Sequence, residues 1–416
     1  MRFNNASQED NNSVLSFQPF SKPRDSNIEV DSIIRHDIDV YIHIPFCEKR
    51  CFFCSIDTDL HFTGMDMEAY IQALKREIEY YEDLFRLCNI QCIHFGGGTP
   101  SLLSAHQILE IVMAFSRFKN DINDIEIVFE SNPLSLTPEK LNLLSSLGNV
   151  SLNIGIQTFD SHVLKTINRG YNFKQVYDLI DNLAGKPFNS IGIDLICNLP
   201  MSNLDTTIRD IDITKELGIN HVSLYPLRIE PNSVFYDNYI KYQDNFLNSA
   251  DQKHILEEAQ KYLVDCGFEQ YMLYHFISQK KRAYQYSANQ VSGGEWIGLG
   301  AGAYSYYRNH VIANVDNIGE YIQNCSERGS CSKLIEKLDG TGQLVREFLY
   351  SLRGKKLEKL YYRNKYGSKK YEILLELFEG LIRDGYATDR GSFFELTMEG
   401  IFGLADIEKK LVNSNL

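Results

Sequence analysis

From about residue 37 onward, short apolar runs alternate with segments of helical period. Ile38, Val40, Ile42 and Ile44 alternate with Asp39, Tyr41 and His43, the period-two pattern of a strand, and Pro45 ends it. Residues 65–85 (MDMEAYIQALKREIEYYEDLF) carry apolar positions at helical spacing. The alternation then repeats. A strand at 92–95 runs into Gly96-Gly97-Gly98-Thr99-Pro100, and a helix spans 104–118 with Ser104 as its N-cap. Strands at 125–130, 150–156, 191–196 and 221–225 are separated by helices at 137–147, 173–183 and 204–217. Such alternation predicts an α/β fold of parallel strands with right-handed crossovers. About six units make a partial (β/α)6 barrel rather than a closed eightfold one, with chemistry at the C-terminal strand ends.

The rest of the chain has a different texture. Residues 1–36 are polar and rich in Asn, Ser and Asp, which predicts a flexible N-terminal arm ahead of a barrel over 37–230. Residues 231–334 hold a helix at 251–265, the stretch 271–276 and the run Gly298-Leu-Gly-Ala-Gly-Ala303, and read as a barrel extension facing the substrate. In 335–416, Leu374, Leu375, Leu377, Phe378, Leu381 and Ile382 mark one helix, and a hairpin over 386–396 turns at Arg390-Gly391. This predicts a winged-helix-like α+β cap, which either closes over a large substrate or only adds stability.

Composition narrows the class. The chain has 416 residues, 44% hydrophobic and 23% charged, the profile of a soluble globular protein of two or three domains. No apolar run approaches about 20 residues, so no membrane span is expected. The start MRFNNASQEDNNS is not a secretory signal. Nine cysteines without an export signal point to a reducing, cytoplasmic location. A net charge of −13 argues against a nucleic-acid partner.

Cys47, Cys51 and Cys54 follow the first strand with C-x3-C-x2-C spacing. A cubic iron–sulfur cluster normally takes four thiolates, so three in one loop leave an iron open to a substrate or cofactor. A zinc site completed by His43 or His61 is the alternative, although structural zinc usually has a second cysteine pair and none is present. Cys88, Cys92, Cys197, Cys266, Cys325 and Cys331 are scattered, and the odd count argues against a disulfide framework.

Taken together, the motifs from Tyr41 to Ser305 resemble the oxygen-independent coproporphyrinogen III oxidase family of the radical S-adenosylmethionine (SAM) superfamily. They are YIHIPFCxxxCxFC, GGGTP, Glu130 before Asn-Pro, GIQ followed by NR, DLIxNLP and GLGAGA, in that order. The resemblance implies a 4Fe-4S cluster on Cys47, Cys51 and Cys54, with SAM chelated at the open iron and reductively cleaved to a 5′-deoxyadenosyl radical. It also implies Gly97, Gly98 and Thr99 against the methionine part of SAM, Glu130 on its ribose or ammonium, and Tyr41 beside it. Phe53, Gln157, Arg169 and Asp194 would hold a second SAM; Arg169 can grip a carboxylate and Asp194 an ammonium. An electron donor such as flavodoxin or ferredoxin is implied as well.

The chain departs from the pattern in two places. Where the true oxidases have a further cysteine, this chain has Ile56. The haem chaperones carry a histidine-containing segment before GLGAGA, where this chain has Tyr286-Ser-Ala-Asn-Gln-Val291, and Tyr304 stands for another histidine. These departures favour a diverged C-methyltransferase branch acting with two SAM molecules on a conjugated small molecule: a quinone, tetrapyrrole or aromatic natural product. Oxidative decarboxylation of a porphyrinogen, haem trafficking and anaerobic haem degradation are the alternatives. His275 could ligate a haem iron or simply be a hydrogen-bonded core residue.

Overall fold

The computed structural model describes residues 36–413 apart from 119–121, 242–245, 279–281, 328, 330 and 355. Apart from His36, the expected arm lies outside the described residues. The parallel strands are β1 (Asp37–Ile44), β2 (Asn89–Gly97), β3 (Glu126–Ser131), β4 (Val150–Gln157), β5 (Ser190–Cys197) and β6 (His221–Pro226), each paired with the next in register order. Then follow β7 (Phe268–Gln270), β8 (His275–Ser278), β9 (Trp296–Leu299), β10 (Tyr304–Tyr307), β11 (His310–Asn314) and β12 (Ser332–Lys337). Together they form one open sheet, β12-β11-β10-β9-β1-β2-β3-β4-β5-β6-β8-β7. The partial barrel is as expected. The pattern did not reveal that β9 returns to lie parallel beside β1, so the barrel has a seventh parallel strand.

The strand pattern decides what each face does. Ile38, Val40, Ile42, Ile44, Phe95 and Phe129 are fully buried against the outer helices, where apolar area leaving water stabilises the sheet. The alternate positions Tyr41, His94, Glu130, Asn153, Asp194 and Ser223 line the barrel interior. The barrel is therefore apolar outside, under its helices, and polar and aromatic within.

Two boundaries differ from expectation. The helix read as 65–85 breaks at Tyr81 (φ −90°, ψ 12°) into Gly64–Tyr80 and Glu82–Leu87. The division at 334/335 falls inside β12, which belongs to the main sheet. Beyond it lie helices and a three-stranded antiparallel sheet of β13 (Lys356–Glu358), β14 (Ala387–Asp389) and β15 (Phe393–Leu396). The expected hairpin is β14–β15, with Gly391 at φ +85° in its turn. Arg353 and Glu408 from this C-terminal part line an interior cavity. It thus forms part of the cavity walls.

A second departure concerns cysteines. Cys325 and Cys331 are joined in a disulfide, a local link rather than a framework.

Candidate active site

The cysteine loop is pinned at both ends before it bears any ligand. Cys47 N donates to Asp59 O (3.1 Å) and Asp59 N to Pro45 O (2.8 Å). Phe52 N donates to Ile167 O (3.2 Å), and Asn168 Nδ2 donates to Arg50 O (2.9 Å). These bonds tie the loop to the segment carrying Arg169, so residues about 120 apart in sequence share one rim. The GGGTP turn closes the other side. Gly97 has φ +105°, and a Cβ there would lie 2.6 Å from the His43 ring. A Cβ on Gly98 would lie 2.6 Å from Phe46 O. Glycine is required here because the turn packs on the chain's own β1 and cysteine loop.

Cys47, Cys51 and Cys54 line a cavity of about 220 Å³ together with Gly97, Gly98 and Thr99. Thr99 Oγ1 lies 3.2 Å from Cys47 Sγ. Burial raises the Cys47 thiol, and pushes Cys54 up to about 11. Iron binding would reverse this, because metal ligands must be thiolates. The donor set fits a cluster better than zinc. Zinc needs its ligand atoms within about 4 Å of one another, given bonds of about 2.3 Å. Among the described residues, the only three ligand atoms within 4.8 Å of one another belong to Glu77, Cys325 and Cys331. Neither His43 nor His61 lines the cavity. Three thiols spaced wider than a single ion allows suit a cubane with one open iron.

Phe53, Glu130, Gln157, Arg169 and Asp194 line this same cavity; Tyr41 does not. Tyr41 lines a second cavity of about 420 Å³, its hydroxyl 3.1 Å from His43 Nδ1. Glu130 stands in the partition between the two, with Oε1 2.9 Å from His94 Nε2. Arg169 stacks over Phe53 at 5.8 Å, and its Nε has no hydrogen-bond partner. Gln157 sits at a register shift with φ +69°, a backbone state that costs a non-glycine residue free energy and clusters at functional sites.

A third cavity, of about 520 Å³, shares Phe53, Gln157 and Asp194 with the cysteine cavity. Asp194 thus lines all three. Its Oδ2 accepts from Asn153 Nδ2 (2.8 Å), while Oδ1 is unpartnered. Burial pushes Asp194 up to about 6, against that hydrogen bond.

Residues 41–213 match the radical SAM superfamily. The haem chaperone HemW of Buchnera aphidicola is 31% identical to this chain, over 72% of the chain and 81% of its own length. The chain belongs to the radical SAM superfamily, in the family of these relatives. HemW of Bacillus subtilis is 27% identical over 86% of the chain and 95% of its own length. The oxygen-independent coproporphyrinogen III oxidase of Salmonella typhimurium is 27% identical over 70% and 66%. In structure, coproporphyrinogen III oxidase HemN from Escherichia coli superposes with a TM-score of 0.75 at 22% identity, covering 92% of this chain and 91% of that one, which establishes the fold.

The family is as the motifs implied; the methyltransferase branch is not supported, since these relatives are named as chaperones and oxidases. The haem reading that Tyr286 and Tyr304 argued against regains weight. The sequence did not point to the interior residues Tyr225, Tyr284, Trp296 and Arg346, and it marked Tyr286 only as a departure from the chaperone pattern. For Tyr225 a signal existed, since it occupies the inward phase of β6. For Trp296 and Arg346 there was none, because they arrive on β9 and on a helix of the C-terminal part.

Proposed function

We propose that this chain is a radical SAM protein that binds a tetrapyrrole in the barrel interior and cleaves SAM beside it. The observation that carries this reading is the meeting of three cavities at Asp194. A cluster-and-SAM cavity shares the wall residues Glu130 and Ile56 with one large cavity and Phe53 and Gln157 with another. The two large cavities share Tyr225, His275 and Gln290, so a broad flat ligand can span them. When bound, the cluster supplies the electron for cleaving SAM. The protein's share is to orient SAM with Arg169 and Asp194, to exclude water, and to hold the ligand against aromatic walls.

A haem chaperone is the second reading. Burial lowers the His275 imidazole to about 4, keeping it in the neutral form that ligates iron, and it stands in the wall shared by the two large cavities. Its ring nitrogens lie 3.2 Å from Ser223 Oγ and 3.4 Å from Tyr225 Oη.

Anaerobically reconstituted protein, a chemical reductant and SAM are incubated with coproporphyrinogen III or with haem. Tetrapyrrole binding together with 5′-deoxyadenosine is the expected result, and carbon dioxide release marks the oxidase reaction. Stoichiometric haem binding without SAM turnover favours the chaperone. Failure to bind either tetrapyrrole overturns the proposal.

A further inference from the structure

Arg346 lies on the helix Gly340–Leu352 and is 4% exposed. Its guanidinium sits in an aromatic cage, 3.3 Å from the Tyr306 ring centre, 4.5 Å from that of Tyr350 and 5.0 Å from that of Trp296. Nη2 has no hydrogen-bond partner, and no carboxylate among the described residues forms an ion pair with the group. The two acids whose charges act on it, Glu347 and Glu295, are engaged elsewhere. Glu347 pairs with Lys365. Glu295 lies 3.5 Å from His36 Nε2 and accepts from Arg308 N at 2.7 Å. A buried charge without a counter-ion is costly, and three ring faces offset only part of that cost. Arg346 lines the large cavity that holds Tyr41 and Glu130.

Arg353, seven residues on, repeats the arrangement. It stacks at 4.8 Å on the same Tyr350 ring, its Nη1 is unpartnered, and it lines both large cavities. Its one ion pair among the described residues, to Glu408, is loose at 3.7 Å. Two helical turns separate the pair by about 10 Å.

We propose that Arg346 and Arg353 form an anion-anchoring pair that grips carboxylate side arms of a flat conjugated ligand, so that its ring system lies between the aromatic cage and Asp194. Arginine is the residue for this, because its planar fork meets a carboxylate with two parallel hydrogen bonds while its face stacks on an aromatic ring. The inference rests on the interior being the ligand site and adds the chemistry that orients the ligand there.

Trp296 is the single tryptophan of the chain and contacts Arg346, so its emission reports on the site. The full-length protein is titrated with two acid–ester pairs: protoporphyrin IX and its dimethyl ester, and naphthalene-2,6-dicarboxylate and its dimethyl ester. Saturable binding of the acids roughly 10- to 100-fold tighter than the esters is expected. Arg346→Met should abolish that preference and, without ligand, hold or raise the melting temperature, since it removes an unpaired buried charge. Arg353→Gln should reduce the preference and serves if Arg346→Met does not fold. Equal affinity for acid and ester in the wild type, or an unchanged preference in both variants, overturns the anchor. Acid preference for the naphthalene pair with no porphyrin binding keeps the anchor and overturns the tetrapyrrole reading.

Discussion

Glu77 and Asp194 are two acids whose side chains are buried on opposite sides of the sheet, and burial raises the pKa of both. They differ in how fully they are satisfied. Glu77, on the helix Gly64–Tyr80 outside β1, accepts from Gly300 N (2.8 Å), Tyr321 Oη (2.7 Å) and Asn314 Nδ2 (2.6 Å). Asp194, inside, accepts from Asn153 and leaves Oδ1 unpartnered. The same contrast runs through their surroundings. Around the interior, His94 Nδ1, Asn153 Oδ1, Arg169 Nε, Tyr284 Oη and Arg346 Nη2 are unpartnered. A saturated buried network holds a fold together, and an unsaturated one implies a ligand. Glu77 pins the glycine turn after β9 onto the back of β1, where a Cβ on Gly300 would come within 2.6 Å of His43 O. That explains Gly300 of GLGAGA as architecture behind β1, while Gly302 and Ala303 of the same run line the large cavity.

The largest expected effect tests the functional side. Cys51→Ala should reduce 5′-deoxyadenosine formation to background while far-ultraviolet circular dichroism is unchanged. Undiminished SAM cleavage would remove the cluster from the site. On the structural side, Glu77→Ala strands three donors and should cost about 3–5 kcal/mol by chemical denaturation. A loss below about 1 kcal/mol would break the contrast.

Much of this division was legible in the sequence. The period-two alternation of β1 marked its two faces, the repeated strand–helix units marked the barrel, and the C-x3-C-x2-C, GGGTP and NR segments named three sides of the cluster cavity. What was missed arrives through long-range pairing. Period alone does not say that Trp296 will lie beside Asp39 in β1, or that Arg346 will reach Tyr306. Nor did Glu77 stand out, because an acid within a charged helix reads as solvated until Asn314 and Tyr321 are folded onto it. The Cys325–Cys331 link was hidden for a similar reason: two cysteines six residues apart signal nothing until the helix Ile318–Glu327 and the residue leading into β12 are brought together.

The next effect is a pH dependence. Burial pushes Glu77 from 4.5 up to about 7, so its folded form holds the proton more tightly than its unfolded form. Its contribution to stability is complete below about 4.5 and is lost as the pH rises through about 7, with an upper limit of about 3 kcal/mol. Asp39 and Asp210, also raised to about 7 by burial, add to the same slope. Glu77→Gln should flatten the curve between these limits without abolishing it. An identical slope in the variant would show that Glu77 is ionised in the folded state. A packing test is of similar or smaller size. A Cβ on Gly192 would fall 2.1 Å from Tyr284 Oη, so Gly192→Ala should cost about 1–3 kcal/mol and weaken ligand binding in the interior.

The smallest effect on stability is expected at Asp194, and it decides the comparison. Its carboxyl is held near 6, above the 3.8 of a free aspartate, so its contribution is present at low pH and gone above about 6. At pH 7.5 the folded protein therefore carries an ionised, half-satisfied acid at the junction of three cavities. Asn at this position keeps the shape and removes the charge. Asp194→Asn should change the unfolding free energy by less than about 1 kcal/mol at pH 7.5, in the stabilising direction if at all, while SAM turnover collapses. A loss as large as that of Glu77→Ala would mean that Asp194 holds the barrel together. Unchanged stability with lost turnover would mean that its free oxygen is kept for a ligand.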